Sequence, residues 1–269
     1  MRGGRFPDGL RDRYDGELRI ALHPDRPTVV ANFVSTLDGV VAFDTDKSSG
    51  GGEVSGFFDP DRFVMGLLRA MADVVLVGAG TVRSAPTHEW TARRVHPASA
   101  ALYAEWRGRM GVASPQPTTI VATAGGGLDP SHPGLSAPDV PVIVATTKAG
   151  ARRLGSAGLA ANVRVEIAGA GDRVAAARLV EIAGSLGARL VLCEGGPHLI
   201  GDLVGAGLLD ELFLTIAPQI AGRDDRTPRL GLVQGTAFAV AGAPWAGLVS
   251  VRRADDHLFL RHRFDQRSR

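Results

Sequence analysis

Three short stretches of the sequence place anion-binding groups directly after apolar runs. They are Gly78-Ala-Gly-Thr81, Thr146-Thr-Lys148 and Gly195-Gly196. Apolar runs of this length are typical of buried strands, and open α/β sheets bind ligands at the carboxyl ends of their strands. Backbone N–H groups, hydroxyls and an ammonium group all suit phosphates. Each stretch alone is most simply an ordinary turn or helix cap, but the three together favour a dinucleotide ligand.

Glu194 follows the run Leu190–Cys193 and precedes the two glycines, and a helix-like segment comes next. A strand that ends at Gly-Gly and enters a helix lets a ligand approach bare backbone and aims helix N–H groups at it. The position therefore makes Glu194 a candidate site residue.

Several common active-site patterns are missing. The segments 78–83 and 169–174 both lack the third glycine of Gly-x-Gly-x-x-Gly, and no glycine loop closes with Lys-Ser or Lys-Thr. The sequence has no Gly-x-Ser-x-Gly elbow and no His-Glu-x-x-His. The single cysteine, Cys193, lies in an apolar run and is predicted to be a buried structural thiol. We therefore expect no metal site.

Composition narrows the class of protein. The chain has 269 residues, 45% of them hydrophobic, and a net charge of +2. That is enough for a substantial core. No segment clusters basic and aromatic residues, which argues against nucleic-acid binding. The N-terminal segment has no apolar stretch of the signal-peptide kind, and no apolar run is long enough to span a membrane. The sequence predicts a cytoplasmic protein that interacts with no membrane.

Strand-like and helix-like segments alternate along most of the chain, and two alternating runs around 248–264 resemble a hairpin. This order predicts an α/β fold: a mostly parallel central sheet flanked by helices, with antiparallel C-terminal strands. Residues 1–26 are predicted to be an extended arm and 27–264 a single domain, in which 84–117 is an irregular insertion. Residues 47–52 have the composition of a flexible loop.

A family resemblance rests on four sets of residues in order. They are Asn32-Phe-Val-Ser-Thr-Leu-Asp-Gly39, Leu67–Ala70 leading to Val77-Gly-Ala-Gly-Thr-Val82, Glu194-Gly-Gly-Pro197, and Asp210-Glu-Leu212 with Ile216-Ala-Pro218. Together they resemble the reductase half of the bifunctional riboflavin-biosynthesis deaminase-reductase, which belongs to the dihydrofolate-reductase-like superfamily. The similarity covers roughly residues 27–264.

The resemblance implies NADPH as cofactor, a pyrimidine substrate and a homodimer. By position, Asn32, Asp38 and Glu194 would flank the nicotinamide and the substrate ring. The cofactor phosphates would lie near Gly78, Gly80 and Thr81, the adenosine 2′-phosphate near Thr146, Thr147 and Lys148, and the pyrophosphate near Gly195, Gly196, Pro197, His198 and Leu199.

This sequence also departs from the family pattern. The zinc-binding residues of the deaminase half are missing, so we expect no deamination. The family's tryptophan before the first helix and its Asp-Asp-Pro after the Gly-Thr turn are replaced within 53–58 and 83–88. Those segments hold the ribose phosphate of the substrate in the family. Here Arg62 and Arg83 are candidates for that role. Arg62 is equally well explained as a solvated side chain on the surface of a helix.

The sequence predicts a reductase that transfers hydride from NADPH to a ribosylaminopyrimidine phosphate. For this substrate the acceptor would be C1′ of the ribosylamino group in its imine form. Such chemistry depends mainly on the positioning of donor and acceptor, which agrees with the lack of an obvious acid–base pair. Two alternatives stay open from the residues: reduction of a dihydrofolate-type pterin, and a nucleotide-binding protein without catalytic activity.

Overall fold

The computed structural model describes residues 1–43, 50–227 and 229–264. The strands in these ranges are β1 (Arg2–Gly4), β2 (Leu18–Ile20), β3 (Thr28–Ser35), β4 (Val40–Ala42), β5 (Val74–Gly78), β6 (Thr118–Thr123), β7 (Val142–Thr147), β8 (Val163–Gly169), β9 (Leu190–Cys193), β10 (Glu211–Ile216), β11 (Leu230–Gly231), β12 (Ala246–Ala254) and β13 (His257–Phe264). The helices are α1 (Asp8–Tyr14), α2 (Gly51–Ser55), α3 (Asp59–Met71), α4 (Ala79–Ser84), α5 (Ala92–Val95), α6 (Ala100–Arg109), α7 (Pro133–Ser136), α8 (Lys148–Leu154), α9 (Ala176–Ser185) and α10 (Pro197–Gly205). Residues 47–49 of the loop predicted over 47–52 lie outside the described ranges, and Gly51 and Gly52 belong to α2 rather than to a flexible loop.

A nine-stranded sheet runs through the described part of the chain in the order β12-β13-β10-β3-β9-β5-β6-β7-β8. From β10 to β8 all neighbouring strands are parallel. The hairpin of β12 and β13 adds to β10 in antiparallel orientation. The prediction of a mostly parallel sheet that ends in antiparallel C-terminal strands is therefore confirmed.

Two apolar layers cover the sheet. One contains α3, α6 and the N-terminal residues, and the other contains α9 and α10. The central strands are buried on both faces, as β5 and β9 show. This double burial explains why their sequences read as continuous apolar runs without alternation. Cys193 lies in this core and is buried, as predicted.

The N-terminal residues differ from the extended arm that the sequence predicts. Residues 1–20 form β1, α1 and β2, and Phe6, Leu10 and Ile20 are buried in the core. The Phe6 ring meets Trp106 edge-on with centroids 4.5 Å apart. Burial of each such side chain contributes about 1.5–3 kcal/mol to folding. The prediction is wrong because the many charged residues of this segment, which lie at exposed positions, obscure the pattern of its buried apolar residues.

Residues 84–117 are also more ordered than an irregular insertion. They contain α5 and α6, and Trp90, Tyr103 and Trp106 are buried. The Tyr103 hydroxyl donates to the carbonyl of Phe63 at 2.9 Å and so ties this segment to α3. The segment is part of the core and closes one side of the region described below.

Helix α3 carries the side chains on which the site depends. It begins at Asp59, with Phe58 as the N-cap residue, and Pro60 lies in its first turn, where a missing N–H costs nothing. Phe63, Leu67 and Met71 face the core. Asp61 and Arg69 are buried as well and interrupt this apolar face.

Among the described helices, none has the length and apolar character needed to cross a membrane.

Candidate active site

A cleft of about 1340 Å³ opens along the carboxyl ends of the parallel strands. Its wall includes Asn32 on β3, Gly78 on β5, Thr123 on β6 and Glu194 after β9. In the sheet, β3 and β6 are three strand spacings apart, which corresponds to roughly 14 Å. The volume exceeds the roughly 300–1,000 Å³ of an ordinary small-molecule pocket. The cleft therefore has room for an extended ligand with a second molecule at one end.

The cleft brings together most of the residues that the sequence marks as candidates. Those that line it are Asn32, Arg62, Gly78, Gly80, Thr81, Glu194, Gly196, Pro197, His198 and Leu199. Asp38, Thr146, Thr147 and Gly195 are not among the lining residues. Each of these four has a structural reason to lie outside it.

Asp38 holds its own turn together. Its carboxylate accepts from the Thr36 hydroxyl at 2.6 Å and from the backbone N–H groups of Ala221 and Gly222 at 3.1 and 2.8 Å. The hydrogen bond from Thr36, followed by that from Ala221, lowers the pKa of Asp38 to about 2. The structure therefore does not support the substrate-binding role expected of Asp38, because its oxygens are engaged in fixing the turn between β3 and β4.

Thr146 and Thr147 are buried at the end of β7. The Thr147 hydroxyl donates to the carbonyl of Ala124 at 2.8 Å and accepts from the N–H of Gly150 at 3.1 Å. Thr147 is the N-cap residue of α8. Hydroxyls used in this way do not reach the cleft, so the expectation that they face the adenosine phosphate is corrected. Lys148 is exposed and is not among the lining residues.

Arg153, near the end of α8, is a basic residue in the cleft wall that the sequence did not indicate. It lines the cleft, and its guanidinium lies beside the glycine loop that follows β6: Nη1 is 3.9 Å from an ideal Cβ built on Gly127. No described residue forms an ion pair or hydrogen bond with this guanidinium. It is an unpaired cation at the β6 end of the cleft.

Gly195 and Gly196 have different roles. A Cβ on Gly195 would lie 2.3 Å from the backbone nitrogen of Gly78, so Gly195 allows the turn after β9 to pack against the end of β5. Gly196 lines the cleft, and a Cβ there would meet Thr81 Oγ1 at 3.6 Å, an ordinary contact. Packing therefore requires glycine at position 195. Glycine at position 196 instead leaves the backbone accessible to a ligand.

The first turn of α10 presents fewer free donors than the sequence suggests. The N–H of Gly196 donates to Thr81 Oγ1 at 2.8 Å, Pro197 has no N–H, and the N–H of Leu199 turns back to the carbonyl of Gly196. Among the described residues this leaves the N–H of His198 without an acceptor. The Thr81 hydroxyl accepts from Gly196 and still has its own proton to donate.

Glu194 forms a buried ion pair with Arg69. Their side chains are 5% and 1% exposed, Arg69 Nη2 lies 2.6 Å from Glu194 Oε2, and Nε lies 3.0 and 3.1 Å from the two oxygens. The remaining guanidinium contacts are the carbonyls of Thr91 and Glu89 and the ring of His88. Glu194 is thus at the cleft as expected, but as a carboxylate that is already paired.

Asp61 is a second carboxyl at the same end of the cleft, and none of the described arginines forms an ion pair with it. It is 4% exposed and lines the cleft. Burial is the main cause that raises its pKa to about 6, and the nearby charge of Glu194 raises it further. Hydrogen bonding to Thr215 and Ser55 and the proximity of His257 act in the opposite direction. Asp61 can therefore exchange a proton near neutral pH.

The sequence reasoning missed Asp61, Arg69, His88 and Arg153. A signal existed for the first two, because a carboxylate and a guanidinium among apolar residues at helical spacing must find partners or a ligand. His88 and Arg153 gave no such signal, since they lie in a loop and near a helix end. The described residues contain no cluster of three or more His, Cys, Asp or Glu that could hold a metal ion.

The fold and the cleft define an α/β protein with an extended cleft across the carboxyl ends of its parallel strands. The sequence model of the RibD C-terminal domain matches residues 27–245. A 2,5-diamino-6-ribosylamino-4(3H)-pyrimidinone 5′-phosphate reductase from Methanothermobacter thermautotrophicus is 31% identical over 203 residues, which cover 75% of this chain and 83% of that protein. The chain belongs to the RibD C-terminal domain family.

Several solved structures share this fold. A pyrimidine reductase-like protein from Corynebacterium diphtheriae gives a TM-score of 0.68 at 18% identity, over 90% of this chain and 93% of that one. RibD from Acinetobacter baumannii gives 0.64 at 21% identity, over 90% of this chain and 59% of that one. The riboflavin biosynthesis reductase Rib7 of Saccharomyces cerevisiae gives 0.56 at 16% identity, over 96% and 99% of the two chains.

The raised pKa of Asp61 predicts a pH-dependent stability. The folded protein keeps this proton up to about pH 6, whereas the unfolded chain loses it near pH 4. Stability should therefore fall as the pH rises through this window, by roughly 3 kcal/mol at one pKa unit per 1.4 kcal/mol. Asp61→Asn removes the cost of ionisation, so its gain in unfolding free energy over the wild type should grow from about pH 4 to pH 6 and then stay constant.

Urea unfolding at several pH values measures this difference. Asp12→Asn, at an exposed position of α1, is the matched control and should follow the wild type throughout. A difference between Asp61→Asn and wild type that does not change with pH would contradict the assignment.

Proposed function

We propose that the protein is an NADPH-dependent reductase of a ribosylaminopyrimidine 5′-phosphate in riboflavin biosynthesis. The observation that carries the proposal is the arrangement of the cleft: the Asp61 carboxyl and the paired Glu194 lie at one end, and Arg153 lies at the other. A dinucleotide that extends from the Arg153 end would bring its reactive ring to the Asp61 end. The named activity of the Methanothermobacter relative supports this substrate class.

The residues of the cleft fit a nicotinamide dinucleotide. Ideal Cβ atoms on Gly78 and Gly80 would have nothing within 4 Å, so both present bare backbone to open space. The Thr81 hydroxyl and the N–H of His198 at the start of α10 are donors aimed at the same region. Both suit a pyrophosphate, and the dipole of α10 adds to the attraction. Bound there, the cofactor would supply the hydride.

The proposed substrate half of the cleft lies around Asp61. An aminopyrimidine presents N–H groups, and the Asp61 carboxyl, which is not part of the Arg69–Glu194 pair, would accept from them beside its hydrogen bonds to Thr215 and Ser55. Reduction of the imine form at C1′ also requires a proton on the adjacent nitrogen. Asp61 has a pKa near the working pH, which is the best value for a general acid. We assign it both roles.

The substrate phosphate would lie at the arginine-rich rim of the cleft. Arg62, Arg83 and Arg94 all line it. Arg62 uses Nε to donate to the carbonyl of Val95 at 3.0 Å, which leaves its terminal nitrogens for a ligand. Arg83 is exposed and has no ion pair among the described residues. These side chains could replace the family residues that the segments 53–58 and 83–88 lack.

NADPH consumption, followed by absorbance, tests the proposal. The wild type should oxidise NADPH with the diaminopyrimidinone phosphate and much more slowly with dihydrofolate. Gly80→Val places a side chain in open cleft space and should abolish turnover through loss of cofactor binding. Asp61→Asn should lower kcat/KM by about 10²–10⁴-fold, as the loss of a general acid does.

Gly108→Val is the matched control for Gly80→Val, because Gly108 in α6 also has nothing within 4 Å of an ideal Cβ but lies outside the cleft. It should keep wild-type kinetics. Absence of turnover with the pyrimidine phosphate in the wild type, or full activity of Gly80→Val, would remove the proposed function.

Arg153 is the residue that we propose to select NADPH over NADH. A guanidinium without a protein partner at the adenosine end suits a 2′-phosphate. Arg153→Ala should raise KM for NADPH about tenfold or more and leave KM for NADH unchanged. Arg152→Ala, in the adjacent exposed position of α8, should change neither. Equal effects on both cofactors would contradict this role.

The homodimer stays a prediction from the resemblance, as does the cytoplasmic location. Strand β12 lies at an edge of the sheet, and Leu248, Val249 and Val251 on it are exposed. Unpaired edges with apolar side chains are usually covered by another chain. We expect light scattering to give the dimer mass for the wild type and the monomer mass for Val251→Lys. A monomeric wild type would contradict the proposal.

A further inference from the structure

The buried guanidinium of Arg69 determines the state of a histidine in the cleft wall. A guanidinium carries five N–H groups and no acceptor. Glu194 accepts from Nε and Nη2, and the carbonyls of Thr91 and Glu89 accept from Nη1 at 3.0 and 3.3 Å. The other contact of Nη2 is His88 Nε2 at 2.8 Å. Since Nη2 can only donate, His88 Nε2 must accept.

An accepting Nε2 fixes both the charge and the tautomer of His88. The imidazole is neutral and carries its proton on Nδ1, because a proton on Nε2 would face the N–H of Arg69. Burial, and then the charge of Arg69, lower the pKa of His88 to about 2, in agreement with this geometry. The further charged or titratable groups that face the ring are Arg94, His132 and Arg62, and all three act in the same direction.

The Nδ1–H group of His88 is available to a ligand. The side chain is half-buried and lines the cleft. In the described part of the chain no residue accepts from Nδ1, and Nδ1 is not one of the buried polar atoms that lack a partner. Trp90 packs against the ring edge-on at 5.4 Å between centroids. The donor is therefore open to the cleft and held in place by Arg69 and Trp90.

Building on the proposed function, we infer that His88 is a substrate-binding residue whose Nδ1–H donates to a carbonyl oxygen of the pyrimidine ring. A neutral donor suits a neutral acceptor, whereas the phosphate has three arginines at the rim of the cleft. Asp61 accepts and His88 donates, so the two together distinguish an amino-oxo-pyrimidine from a ring with a different order of donors and acceptors. Arg69 acts only through His88 and Glu194 and is a positioning residue.

Two substitutions separate the two nitrogens of His88. His88→Gln places an acceptor near the former Nε2 and keeps the bond from Arg69, but it has no donor in place of Nδ1. It should fold like the wild type, keep its affinity for NADPH and show a KM for the pyrimidine phosphate about tenfold higher, the effect of one lost hydrogen bond. His88→Asn supplies an N–H near the former Nδ1 and should recover most of the KM while it loses stability.

His262→Gln is the control, since His262 is half-buried on β13 and lies outside the cleft. It should change neither KM nor stability. The same series with the substrate that lacks the phosphate identifies the acceptor. A His88→Gln defect that persists supports the ring carbonyl, and a defect that disappears overturns it in favour of the phosphate.

Nitrogen-15 NMR of the protein labelled at its seven histidines reads the tautomer directly. From about pH 5 to pH 8, where an unperturbed histidine titrates, His88 should remain neutral with the proton on Nδ1, and the Nδ1 resonance should shift when the pyrimidine phosphate binds. A charged ring, the opposite tautomer, or a wild-type KM in His88→Gln would overturn the inference while turnover by the wild type keeps the proposed function. A wild type without turnover removes both.

Discussion

The buried ion pair between Arg69 and Glu194 is the interaction on which the arrangement of the cleft depends. Placing two charges in the interior is costly, and only full hydrogen bonding offsets the loss of water. The pair meets this condition, because the carboxylate receives donors from one side of the guanidinium while two carbonyls and His88 Nε2 accept from the rest. It thereby fixes α3, the end of β9 and the segment 88–91 relative to one another.

This pairing also explains how two neighbouring carboxyls come to differ. Glu194 is paired with Arg69, while Asp61 is equally inaccessible to water, lies near Glu194 and has no arginine partner among the described residues. Active sites often hold two acids in environments that differ in this way. The structure therefore assigns the titratable role to Asp61 and the structural role to Glu194. The position of Glu194 after the strand suggests instead that Glu194 contacts the ligand.

Much of the fold could be predicted because its signals are local. Continuous apolar runs mark the buried parallel strands, and alternation marks the C-terminal hairpin. The glycines at 78, 80 and 196 could be placed at the cleft because turns after parallel strands meet at one edge of the sheet.

What could not be predicted depends on contacts between distant residues. Arg69 and Glu194 are 125 positions apart, and nothing in either local sequence indicates the other. Thr146 and Thr147 have the right types for phosphate contacts, but the carbonyl of Ala124 and the N–H of Gly150 compete for their hydroxyls. The carboxylate of Asp38 is likewise occupied, because it accepts from the Thr36 hydroxyl and the N–H of Gly222. A polar side chain near a cleft can bind a ligand there only when its hydrogen-bonding atoms are not already used by backbone groups.

The proposed reaction requires that hydride pass from a nicotinamide in the cleft to a pyrimidine substrate held at the Asp61 end. Mass spectrometry of the product formed with NADPH that carries deuterium at both C4 positions tests this most directly. We expect one deuterium in the reduced diaminopyrimidinone phosphate, located at C1′. A product without deuterium, or no product at all while the cofactor stays unchanged, would contradict the account.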